Sequence, residues 1–70
     1  MEYQTLVINN KEVFVQSKNA TESFELYSLD IEFIEEDILD NNAIQGELEV
    51  IVNEGLIEIE WQVLKGENNE

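Results

Sequence analysis

Gly46-Glu47-Leu48-Glu49-Val50-Ile51-Val52-Asn53-Glu54-Gly55-Leu56-Ile57-Glu58-Ile59-Glu60-Trp61-Gln62-Val63-Leu64 decides the fold of this 70-residue chain. Leu48, Val50 and Val52 alternate with Glu47, Glu49 and Ile51. Beyond Asn53-Glu54-Gly55, the residues Ile57, Ile59, Trp61 and Val63 alternate with Glu58, Glu60 and Gln62. Period-two alternation rich in β-branched residues, interrupted by a Gly-containing turn, is the pattern of a β-hairpin. Parity then sets the faces. A two-residue loop at Glu54-Gly55 puts Val52 opposite Ile57, Val50 opposite Ile59, Leu48 opposite Trp61 and Glu49 opposite Glu60. A four-residue loop from Asn53 to Leu56 keeps the same faces. An odd loop would mix apolar with acidic positions, because a one-residue slip inverts every side chain. The turn departs from the preferred type I′ sequence, since Glu54 stands where Asn or Asp ordinarily precedes Gly.

Leu48, Val50, Ile57, Ile59 and Trp61 are therefore expected in the core. Trp61 shares the parity of Ile57, Ile59 and Val63, so it reads as a packing residue first and an interface anchor second. The other face carries Glu47, Glu49, Glu58 and Glu60, with no Lys or Arg in the stretch. Like charges directly opposite one another are destabilising. The hairpin thus offers one apolar face to a core and one anionic face to water or to a cationic partner.

The remainder supports a small α+β domain. Tyr3 to Ile8 and Glu12 to Gln16 read as strands around a turn at Asn9-Asn10-Lys11. Leu6, Ile8, Val13 and Val15 share one face, and Val7 and Phe14 the other. That other face is more apolar than a solvated face needs, so a partial cover is expected. Ser17 to Ser23 reads as a polar connection. Phe24 to Leu39 carries two patterns. Phe24, Tyr27, Ile31, Ile34 and Ile38 are spaced as a helical stripe, whereas Leu29, Ile31 and Phe33 alternate as in a strand. Ser28 as N-cap, with Asp30 and Glu32 in the first turn, favours a helix from about Leu29 to Leu39. Asp40-Asn41-Asn42 is the expected stop, and Phe24 to Tyr27 the site of a short strand. The expected order is β-β-(β)-α-β-β: two hairpins in one antiparallel sheet with the helix across one face. The alternative is a small all-β barrel or sandwich. Residues 1–65 form the expected domain and 66–70 a disordered tail.

The chain has 17 acidic residues, three lysines (Lys11, Lys18, Lys65) and a net charge of −14, with no Cys and no His. Direct contact with DNA, RNA or an anionic membrane requires the Lys and Arg that are missing here. No apolar run reaches the ~18 residues of a spanning helix, and no secretory leader is legible, so a cytoplasmic location is expected. Zinc sites built on Cys or His are excluded, as is a His-activated nucleophile. A chain this short has little room for a pocket of the usual ~300–1,000 Å³. The oxygen ligands Asp37, Asp40, Asn41 and Asn42 lack the spacing of a calcium loop and read as a helix end. Neither enzyme activity nor a cofactor or metal is expected.

The carboxylates carry the functional expectation. Glu47, Glu49, Glu58 and Glu60 on the hairpin, with Glu32, Glu35, Glu36, Asp37 and Asp40 on or beside the helix, are the candidate partner-binding residues. Solubility needs a net charge of only about 2–8 for a small domain, and charge beyond that costs stability through self-repulsion. In size and charge the chain is similar to the small acidic nucleic-acid mimics with which phages and mobile elements block restriction enzymes, CRISPR effectors or repair glycosylases. That likeness implies a basic, nucleic-acid-binding protein as partner. The rival expectations are an immunity-type partner of a basic toxin and a homodimer or assembly module built through Tyr3, Val7 and Phe14.

Overall fold

In a computed structural model, residues 3–18, 24–52 and 55–64 are described. The elements run β1 (Tyr3–Ile8), β2 (Lys11–Ser17), α1 (Ser28–Asn41), β3 (Gln45–Val52) and β4 (Gly55–Val63). The four strands make one sheet in the order β1-β2-β4-β3. Every neighbouring pair is antiparallel. The α+β architecture expected from the sequence is therefore present, and the helix at Ser28–Asn41 removes the all-β alternative.

The first hairpin closes at Asn9-Asn10. Ile8 faces Lys11 and Leu6 faces Val13. Asn9 and Asn10 have φ of 54° and 65°, the pair of positive values that a type I′ turn demands and that Asn tolerates. Inward parity gathers Ile8, Val13, Val15, Val50, Ile59 and Trp61 with Phe24, Ile34 and Ile38 into the buried core. Leu6, Leu48 and Ile57 are half-buried at its margin. Each fully buried aliphatic side chain is worth about 1.5–3 kcal/mol relative to exposure, and that layer is what holds α1 on the sheet.

Four expectations need correction. The segment Phe24 to Tyr27 is not a strand: it joins neither edge of the sheet, β1 or β3. It crosses the sheet instead: Gln4 Nε2 donates to the Phe24 carbonyl at 3.0 Å, and Phe24 enters the core. The cap of α1 is Tyr27, not Ser28, and the Tyr27 N–H donates to Asp30 Oδ2 at 2.9 Å. Asp30 at the third helical position reaches back, as in half of a capping box. Tyr27 consequently stays exposed although it belongs to the helical stripe. Ser17, placed by sequence in the connection, ends β2 and is fully buried. The expected stop holds, for Asn42 turns left-handed (φ 55°, ψ 32°). The Ala43 N–H then donates to the Asp37 carbonyl at 2.9 Å, which satisfies one of the carbonyls left open at the helix end. The expected tail at 66–70 and the end of the connection at 19–23 lie outside the described residues.

The fourth correction concerns register. Val52 faces Gly55, Val50 faces Ile57, Leu48 faces Ile59 and Gly46 faces Trp61. The loop positions are thus Asn53-Glu54, themselves outside the described residues, rather than Glu54-Gly55. Both registers bury the same face, so burial alone cannot choose between them. A further contact does: a Cβ on Gly46 would lie 2.6 Å from Trp61 Cζ2. The indole, only 2% exposed, occupies the space that a missing side chain opens directly across the ladder.

Candidate functional site

The face of the sheet away from α1 is made by the opposite parity. It carries Tyr3, Thr5 and Val7 from β1, Glu12, Phe14 and Gln16 from β2, Glu58, Glu60 and Gln62 from β4, and Gln45, Glu47 and Glu49 from β3. The register pairs Glu47 with Glu60 and Glu49 with Glu58. The pairing of Glu49 with Glu60 expected from sequence is replaced by these two direct pairs. Paired positions are about 5 Å apart and successive rows about 6.8 Å. The four carboxylates form a compact quadrilateral on a rigid ladder.

Among the described residues, Lys18 reaches them. Lys18, just past β2, donates from its N–H to the Glu58 carbonyl at 2.8 Å, which extends the ladder by one rung. Its Nζ lies 3.3 Å from Glu47 Oε2. The hydrogen bond to Glu47 raises the Lys18 pKa above its ordinary 10.5, and the charges of Glu47, Glu58 and Glu60 add to that. Lys18 thus supplies, from outside the hairpin, a cation that the hairpin stretch itself lacks. Lys18 is too far in sequence from β3 for any local pattern to announce it.

Two depressions border the quadrilateral. A groove of about 410 Å³ is lined by Phe14, Gln16, Gln45, Glu47, Glu60 and Gln62 with Gly46 and Trp61. A smaller one of about 280 Å³ is lined by Lys18, Glu47, Glu49 and Glu58 with Leu48 and Ile59. The larger exceeds what a chain of this size was expected to hold. Its lining of amides, carboxylates and aromatic residues offers hydrogen-bond acceptors and an apolar surface side by side. Beside it Tyr3 stacks on Phe14 with ring centroids 5.1 Å apart. This stack is the partial cover expected over the apolar outer face; Val7 stays open beyond it, 72% exposed.

The helix acids do not join this surface. Glu32, Glu35, Glu36, Asp37 and Asp40 ride on α1, which packs on the inner face through Ile34 and Ile38. They therefore belong to the helix layer, across the sheet from Glu47, Glu49, Glu58 and Glu60. The sequence grouped nine carboxylates as one site, and the layer order divides them into two. No cluster of three or more Asp or Glu placed to hold a metal ion occurs among the described residues. No helix among them is long and apolar enough to cross a membrane. Comparison with protein-family models, with curated proteins and with solved structures finds no match to this chain.

Proposed function

We propose that this protein binds a basic protein surface through the outer face of its sheet and acts as a nucleic-acid mimic. In that role it inhibits a DNA- or RNA-binding protein by occupying its site, an anti-defence activity of the anti-restriction or anti-CRISPR kind. The observation that carries the reading is the double glutamate pair, Glu47 with Glu60 and Glu49 with Glu58, held on adjacent antiparallel strands. Duplex DNA presents about one charge per 1.7 Å of axis, and a rigid lattice of carboxylates offers a cationic groove a comparable density. Like charges in register harm the free protein. Arginine forks from a partner would relieve them with charge-assisted hydrogen bonds. The amide-lined groove beside the carboxylates gives such side chains neutral acceptors as well.

The exposed Tyr3, stacked on the half-buried Phe14, and the exposed Val7 favour a second reading, a self-associating assembly module. The two separate in one experiment. The protein is immobilised, host lysate is passed over it, and each captured protein is tested for release of a fluorescent duplex on titration with the free chain. Capture of a nucleic-acid enzyme that releases its duplex stoichiometrically supports mimicry. Capture of one small basic toxin that holds no nucleic acid replaces mimicry with immunity. Self-association alone supports the assembly module.

A further inference from the structure

The two edges of the sheet are built differently, and we propose that β1 is a self-pairing edge through which two copies form a closed dimer. The ladders settle which backbone groups face outward. Leu64 N–H donates to the Glu12 carbonyl and Lys18 N–H to the Glu58 carbonyl, so the even-numbered residues of β2 bond β4 and the odd-numbered ones bond β1. With Leu6 opposite Val13 and Ile8 opposite Lys11, the even residues of β1 are used. Because bonded and non-bonded positions alternate along an antiparallel ladder, Tyr3, Thr5 and Val7 turn their N–H and C=O groups to the open edge.

That edge lacks the devices that keep sheets from adding strands, which are charges, prolines and bulges. Tyr-Gln-Thr-Leu-Val-Ile contains no charged residue and no proline, in a chain of net charge −14. β2, β3 and β4 each carry at least one Glu. The sequence is also self-complementary about Thr5. An antiparallel two-fold pairing there sets Thr5 against its own copy and Tyr3 against Val7, each pair exchanging both backbone bonds. Tyr3 and Val7 are 64% and 72% exposed in the single chain, and aromatic–β-branched and Thr–Thr pairs are among the favourable cross-strand combinations.

The far edge is closed to the same reaction. Val63 N–H donates to the Ile44 carbonyl, so β3 turns the backbone of Gln45, Glu47, Glu49 and Ile51 outward. Self-pairing of β3 would set glutamates against glutamates. With one permissive edge per chain, the assembly stops at two instead of growing into a filament. The eight-stranded order puts β4 and its copy five strand spacings apart, about 24 Å at about 4.8 Å each. That exceeds the ~10 Å screening length at 0.1 M salt but not the ~30 Å at 0.01 M, so the anionic hairpins oppose the pairing only in dilute salt. The dimer is independent of whether the acidic face has a partner.

The test is sedimentation equilibrium of the full chain over a range of protein and NaCl concentrations, joined to amide hydrogen exchange. A dimer is expected that tightens with salt, with the Tyr3, Thr5 and Val7 amides gaining protection as concentration rises. Thr5→Lys sets two like charges across the axis and should weaken association at least about ten-fold, even though it lowers the net negative charge. Ile51→Asp on the other edge should leave the dimer in place. Circular dichroism confirms that Thr5→Lys folds; if it does not, the exchange pattern of the parent decides. A chain that stays monomeric throughout, a dimer protected elsewhere or indifferent to Thr5→Lys, or open-ended oligomers would overturn the proposal.

Discussion

Gly46 stands directly opposite Trp61, and the indole lies where a Gly46 side chain would be, with Cζ2 2.6 Å from an added Cβ. The contact locks the second hairpin into the one register that gives Trp61 room. Gly46→Ala must displace a buried ring or part β3 from β4, an overpacking cost of about 1–3 kcal/mol. A urea titration should show the unfolding free energy fall by that amount, as a lower midpoint at unchanged slope. An unchanged midpoint would mean that the ring has another place to go.

Ser17 should give the opposite result. Its side chain is fully buried at the end of β2, and among the described residues its Oγ has no hydrogen-bond partner. A buried unpaired hydroxyl costs about 1–3 kcal/mol. Ser17→Ala removes the hydroxyl and leaves little void, so the domain should gain about 1 kcal/mol. The urea midpoint should rise with the slope unchanged. A loss of stability would show that the hydroxyl is satisfied in solution.

The ion pair of Lys18 with Glu47 predicts a specific alkaline limb. The folded pKa of Lys18 is raised above 10.5, chiefly by its hydrogen bond to Glu47. A raised lysine contributes stability that is complete below the unfolded pKa and fades as pH climbs through the folded one. Lys18→Met should therefore melt below the parent at neutral pH, by a small margin because the pair is exposed. The two curves should converge above the lysine range. A gap that persists there would assign the effect to packing of the lysine stem.

Faces were legible in this sequence and registers were not, for one physical reason. Strand side chains repeat every second residue, so parity separates Val50 and Ile59 from Glu49 and Glu60 without any structure. A shift of two residues preserves parity, however, and changes every partner. The choice between Asn53-Glu54 and Glu54-Gly55 rests on the fit of Trp61 over Gly46, a contact made across the ladder. Residues Phe24 to Phe33 satisfied two periods at once, because Leu29 and Phe33 are apolar yet lie on the exposed side of α1. The start signals at Ser28 and Asp30 tip the reading to the helix, and the need to cover the inner face of the sheet agrees with it. The division of the acids into two surfaces follows from layer order, which no local pattern contains. Ile59, fully buried as its parity required, is the position where sequence and packing agree most simply. Ile59→Ala should cost about 2–5 kcal/mol, a large share of what a domain this small possesses.

The outer-face glutamates carry the final prediction, now framed on the observed pairs. Glu49→Gln with Glu58→Gln removes one directly opposed pair, and Glu36→Gln with Asp40→Asn removes two charges from α1 on the other side. Both variants lose the same net charge, so net charge alone predicts the same change in binding. The proposed surface predicts different ones. In the free protein the hairpin variant should be equally or more stable, by up to about 1 kcal/mol, since it relieves like charges in register. Against a captured nucleic-acid-binding partner, the hairpin variant should release bound duplex at higher concentration than the parent. The helix variant should behave as the parent does. The deficit should narrow as NaCl rises and lie mainly in the association rate if the charges sit at the rim of the contact. Equal release by all three chains across the salt series would remove the sheet face from the mechanism. An equal deficit in both variants would leave net charge as the sole determinant and the pairing of Glu49 with Glu58 without a role.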